Sequence, residues 1–132
     1  MMYSHFGSSA KLPKKREKKR MQVREPSVLR SDKHLRWIRS LQCVVPSCTT
    51  GQKVVAAHIR AGLPPGEMPG TAIKPADCWV FPACVFHHGQ EHMGTKSFQR
   101  EYEIDLVQIA HGLALQSPCP DIRAKAKSIT NI

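Results

Sequence analysis

Apolar and polar positions change rhythm several times along the chain, and each change predicts a different element. From Ser31 the apolar residues recur at helical spacing, with Leu35, Ile38 and Leu41 on one side, Trp37 nearby, and Ser31 or Asp32 able to cap the start. After a Gly51-Gln52 turn, Lys53-Val-Val-Ala-Ala-His58-Ile59-Arg60 reads as a short β-prone run. Residues 61–76 are too rich in Pro and Gly for a regular element, which predicts a long surface loop of the kind that often carries function. Asp77-Cys78-Trp79-Val80-Phe81-Pro82-Ala83 reads as a second strand that Pro82 ends. A helix from Cys84 to His92 follows, closed by Gly94, and Thr95 caps the next, with Phe98, Tyr102 and Ile104 on its apolar side. Asp105-Leu-Val-Gln108 has the form of a capping box for a further short helix carrying Leu106, Ile109, Ala110 and Leu113. His111 reads as a surface histidine of that helix without a partner, and residues 117–132, with Arg123, Lys125 and Lys127, read as a polar tail.

Charge separates this folded part from what precedes it. Residues 1–39 carry 12 Lys/Arg against 3 Asp/Glu, a net of +9, whereas residues 40–132 carry 8 against 7, a net of +1. Residues 11–20 hold seven positive charges and one negative, with almost nothing apolar to bury. Such a run is expected to be disordered alone. Lys14, Lys15, Arg16, Lys18, Lys19 and Arg20 suit a phosphate backbone, where each neutralised phosphate releases counterions without reading sequence. The expected division is therefore a basic tail over 1–30, an α+β domain over 31–116 and a C-terminal tail over 117–132. A core this small benefits from a metal staple. No apolar run approaches the length of a membrane span. An odd count of five cysteines and an N-terminus without the apolar stretch of a secretory signal point to reduced thiols in a cytoplasm.

Chemistry concentrates in Cys84-Val-Phe-His87-His88-Gly-Gln-Glu-His92, one thiol and three imidazoles in nine residues. On a helix His88 and His92 share a face while His87 points elsewhere, so one helix can serve two metals. Cys43-Val-Val-Pro-Ser-Cys48 is a C-x4-C loop whose Pro46 favours a turn that gathers both sulfurs, and with Cys84 and His87 it completes a Cys3His set for structural zinc. A disulfide suits a secreted protein better than this one. Cys78 and Cys119 have no chelating spacing left and read as bystanders. His58, between the two halves of the zinc set in sequence, is held near His88 and His92 once the metal closes the loop.

A strand with a terminal His, a long loop, a strand, and a helix entered through C-x-x-H-H with another His four residues on resembles the HNH endonucleases, the ββα-metal or His-Me finger fold. The wording is similar to a phage and prophage branch that includes RecA-dependent Ref-type nucleases. The matching stretches are Ala57-His58-Ile59-Arg60, Lys74-Pro75-Ala76-Asp77, Cys84-Val-Phe-His87-His88 and His92-Met-Gly94 with Phe98, within residues 40–114. The resemblance implies a zinc-stapled nuclease domain with flanking helices. In it His58 is the general base, Asp77 orients that base, and His88 and His92 hold a catalytic Mg2+ or other divalent ion. Many members place a metal-binding Asp or His directly before the base, where this chain has Ala57. The third protein ligand then comes from elsewhere, and Asp77 is one source.

These parts suit hydrolysis of a phosphodiester, which needs a base for water, a cation against the developing charge, and strand positioning. Arg60 and Lys74 add charge beside the proposed site, and the tail adds attachment without base reading. The expected function is a DNA endonuclease of low sequence specificity, with a RecA-type recombinase filament as an implied partner, in a bacterial or phage-infected cytoplasm. The rival reading is a non-catalytic zinc-binding nucleic-acid module. It leaves His58, His88 and His92 unexplained, because one tetrahedral zinc uses four ligands.

Overall fold

Two antiparallel strands form the sheet on which the rest of the α+β domain is assembled: β1 (Val54–His58) and β2 (Val80–Cys84). The computed structural model describes residues 28–70, 72–130 and 132; the basic run from Lys11 to Arg20, for which disorder and DNA contact were expected, lies outside them. Five helices accompany the strands among the described residues: α1 (Asp32–Arg39), α2 (Val85–His92), α3 (Thr95–Tyr102), α4 (Leu106–Leu115) and α5 (Pro120–Ser128).

The register pairs Val54 with Cys84 at one end of the sheet and His58 with Val80 at the other. Bonds from Ile59 N–H to Trp79 O and from Val85 N–H to Lys53 O, both 3.0 Å, extend the ladder at each end. They also fix its phase. Pro82, expected to end the second strand, instead sits inside β2 opposite Ala56, a pair that falls between the bonded pairs, so β1 asks it for no N–H. Its carbonyl turns outward and accepts from Val44 N–H at 2.8 Å, which docks the C-x4-C loop on the sheet. The strand also starts later than expected, because Asp77–Trp79 forms a turn, with Trp79 N–H bonded to Ala76 O at 3.0 Å.

All five residues of β2 are buried. Their neighbours in the core include Ile59, Trp79, Phe98 and Leu106, together with Ala110 and Ala114 of α4 and Ile122 and Ala126 of α5. Small alanines on both α4 and α5 allow those helices to approach closely. The C-terminal segment is therefore not a polar tail. Ile122 and Ala126, four apart, are fully buried, while the basic residues between them face outward or reach across. Lys125 Nζ lies 3.2 Å from Glu67 Oε2, and Glu67 Oε1 accepts from the Trp79 indole N–H at 2.9 Å, so α5 and the core both tether the 61–76 loop. His111 is likewise not a free surface histidine: its Nε2 is 2.9 Å from Ala126 O and its ring stacks over Trp79 at 6.3 Å.

Capping explains most of the helix starts. Ser31 Oγ accepts from His34 N–H at 3.1 Å, and Asp105 Oδ1 accepts from Gln108 N–H at 3.1 Å. Gly94 and Thr95 play other parts than expected, since Met93 ends α2, Gly94 precedes α3 and Thr95 is its first helical residue. The face of α1 that meets the sheet buries His34 along with Ile38, so a polar ring occupies a core position where only aliphatic residues were expected. Ser117 Oγ is 2.8 Å from His34 Nδ1, while Nε2 is buried without a partner.

Candidate functional site

The end of the sheet where Val54 meets Cys84 carries the first cluster. Cys84 is both the last residue of β2 and the N-cap of α2, and its sulfur accepts from His87 N–H at 3.4 Å. The C-x4-C loop closes as a turn with Cys48 N–H bonded to Val45 O at 3.2 Å, Pro46 at its first corner and Ser47 in the left-handed region at φ 60°. Cys43, Cys48, Cys84 and His87 thereby bring their ligand atoms within 4.8 Å of one another. His87 Nδ1 lies 3.5 Å from Cys43 Sγ, 3.5 Å from Cys48 Sγ and 3.2 Å from Cys84 Sγ, and Cys48 and Cys84 sulfurs are 3.9 Å apart. Bond lengths of about 2.3 Å to sulfur and 2.0–2.1 Å to nitrogen put tetrahedral zinc ligands roughly 3.6–3.8 Å from one another. The set could hold a metal such as zinc. Burial by itself raises the Cys84 thiol, but hydrogen bonds from Thr50 and from the backbone and ring of His87 pull it down to about 6, whereas burial keeps Cys43 above its ordinary value. A ready thiolate at a helix start suits a metal ligand. Cys78, by contrast, is buried in apolar surroundings that push its thiol up to about 12, which suits an inert core residue.

The adjacent face of α2 carries the second cluster. His88 and His92 stack edge to face with ring centroids 4.6 Å apart, and Glu91 joins them, the three ligand atoms lying within 4.8 Å of one another. Burial, then the neighbouring charges of His92 and Arg60, hold His88 below its usual value despite Glu91, which favours the neutral ring that can donate a lone pair. Arg60 thus lies within electrostatic reach of this face. Glu91 was not among the residues singled out in sequence, although its signal is there: His88-x-x-Glu91-His92 sets an acid between two histidines four apart on one helix. It is only 2 % exposed. Its Oε2 accepts from the Thr95 hydroxyl at 2.7 Å, and its Oε1 is buried with no partner.

At the far end of β1, His58 Nε2 is 2.8 Å from Asp77 Oδ1. Asp77 is held from three sides: Ser31 N–H donates to Oδ2 at 2.8 Å, Arg30 Nη1 to Oδ1 at 3.2 Å, and His58 to Oδ1. Burial would raise its carboxyl, but these bonds more than offset burial and hold it below the ordinary carboxylate value. An ionised carboxylate only accepts, so Nε2 of His58 donates, and Nδ1 is the ring position left for a lone pair. Arg30, a further residue not singled out in sequence, also binds the carbonyls of Lys74 at 2.9 Å and Pro75 at 2.8 Å, locking the exit of the long loop. Lys74 itself is exposed, with its ammonium free of any partner among the described residues. Asp77 does not belong to the ligand cluster on α2, which among the described residues consists of His88, Glu91 and His92.

No helix of the described residues is long and apolar enough to cross a membrane. No curated protein matches the chain, and no solved structure does. A family model described as a protein of unknown function, DUF968, matches residues 13–116, which takes in both ligand clusters and the His58–Asp77 pair and stops short of α5. That match spans most of the chain, and the chain belongs to the DUF968 family.

Proposed function

We propose that this protein is a metal-dependent DNA endonuclease of the HNH type, acting with low sequence specificity on DNA in a bacterial or phage-infected cytoplasm, with a RecA-type filament as a candidate partner. The observation that carries this reading is a surplus of positioned groups. After Cys43, Cys48, Cys84 and His87 are assigned to one four-ligand metal, the His58–Asp77 pair and the His88, Glu91 and His92 cluster remain, each with defined partners. A purely structural zinc module has no use for them.

In this reading His88 and His92 would hold a divalent ion, which would supply positive charge against the charge building on a scissile phosphate. The chain's own residues do the rest. His58 takes a proton from water at Nδ1, and Asp77 keeps the ring in the tautomer that leaves Nδ1 free and supports the positive charge the ring then gains. Arg30 and Ser31 hold Asp77 in place, so that base, orienting group and loop exit are joined by one set of hydrogen bonds. Arg60 and Lys74 are exposed and offer positive charge to phosphates, and the basic run before residue 28 provides non-specific attachment.

The test is relaxation of supercoiled plasmid by the purified chain with Mg2+ or Mn2+, compared with EDTA and with His58→Ala. Metal-dependent nicking that disappears in the variant is expected. A zinc-loaded, DNA-binding chain that cuts nothing under any divalent ion would leave the non-catalytic zinc module as the correct reading.

A further inference from the structure

We infer that Glu91 is the third protein ligand of the α2 site, and that this set of two imidazoles and one carboxylate takes a first-row transition cation in preference to Mg2+. The inference rests on the reading of His88 and His92 as metal ligands given above. It does not rest on nuclease activity.

Three features of Glu91 support it. First, position: residues 88, 91 and 92 lie on one face of α2, and one carboxylate oxygen stands within 4.8 Å of a nitrogen from each imidazole. Second, Oε1 is buried and makes no hydrogen bond. A buried carboxylate oxygen left unpaired is destabilising, and a cation is the partner that removes this cost without a proton. Third, the other oxygen is already fixed. The Thr95 hydroxyl, on the first residue of α3, donates to Oε2 at 2.7 Å, the outer-sphere bond that commonly aims a ligating carboxylate. A merely structural glutamate joining α2 to α3 would need only that one bond and gains nothing from burying the second oxygen without a protein partner.

Ligand type then selects the ion. Mg2+ prefers oxygen donors and gives up water reluctantly, whereas imidazole nitrogens suit first-row transition ions. Two of the three donors here are imidazoles. Three ligands drawn from one turn of helix occupy one side of an ion and leave its other side open. His92 is exposed, so that open side is reachable from solvent.

Mn2+ is the probe, because it is the weakest binder of the first-row series and gives Mg2+ its best chance to compete. Full-length chain with zinc already bound is titrated with Mn2+, and the free ion is read by electron paramagnetic resonance. One Mn2+ per chain is expected, not displaced by a hundredfold excess of Mg2+. Glu91→Gln, which keeps the size and the acceptor for Thr95, is expected to weaken Mn2+ at least about tenfold with zinc content unchanged; if that variant does not fold, Thr95→Val is expected to weaken Mn2+ about tenfold through the lost orienting bond. Parent-like affinity in the folded Glu91→Gln, or in Thr95→Val where it must stand in, overturns the role of Glu91. Displacement by equimolar Mg2+ overturns the choice of ion. A chain that binds Mn2+ through Glu91 and cuts no DNA refutes the nuclease and leaves this site standing.

Discussion

His34 makes the fold acid-sensitive by an amount that can be worked out. The ring is fully buried on α1, and burial, partly offset by the charge of Asp77, lowers its pKa from 6.5 to about 4. Between those values the unfolded chain binds a proton that the folded chain refuses, so stability falls as pH falls through this window. A site with these two values costs about 2 kcal/mol of stability between roughly pH 7.5 and pH 5, and at most about 3.4 kcal/mol below both. The perturbation is His34→Asn, whose amide can keep the bond that His34 Nδ1 makes with Ser117 Oγ at 2.8 Å while removing the titrating ring. The variant leaves a small cavity and starts less stable at neutral pH. Its loss on acidification should nevertheless be smaller than the parent's by about 2 kcal/mol at roughly pH 5. Urea unfolding of both proteins at matched zinc, stepped through that range, measures the difference and cancels the shared proton uptake of the cysteines. Parallel stability curves would refute the argument, because they would mean that the buried ring titrates normally or that its proton finds a partner at Nε2.

Other outcomes follow from the same structure. Cys84→Ser should release the metal of the Cys3His set and most of the fold with it, since structural zinc binding in small peptides is worth roughly 10–16 kcal/mol; a zinc-free protein whose melt ignores chelators would remove that assignment. His58→Ala should leave zinc content and DNA affinity nearly as they were, lower the melt through the lost bond to Asp77 and lower cleavage about 10²–10⁴-fold at a temperature where the variant is folded, with no rescue by added metal; cleavage at the parental rate would make the histidine structural. Ile122→Ala should cost about 2–5 kcal/mol in chemical denaturation, because α5 closes the core; a change below about 0.5 kcal/mol would mean that the helix is only loosely docked. Deleting residues 1–27 should weaken DNA binding and flatten the dependence of log K on log salt, whereas an unchanged slope would remove the tail from the interface.

What the sequence determined on its own was part of what local chemistry governs. Spacing alone named Cys43, Cys48, Cys84 and His87 as one ligand set, because a chelate needs particular atoms at particular separations and few chain segments offer them. The 100° step of a helix separated His87 from His88 and His92 without any coordinates. Helix starts at Ser31 and Asp105 were legible for the same reason, since a cap bonds within its own turn. Tertiary structure decided what depends on phase and on distant partners. Pro82 could stay in β2 only because the register places it between bonded pairs, and no local pattern reveals a register. α5 looked like a tail because two buried residues among lysines carry meaning only when α4 is there to receive them. Arg30, 47 residues from Asp77 along the chain, could not be linked to it before the chain folded. Glu91 stands between His88 and His92 in the sequence, but what sets it apart is a buried oxygen without a partner, and burial is a property of the whole packing.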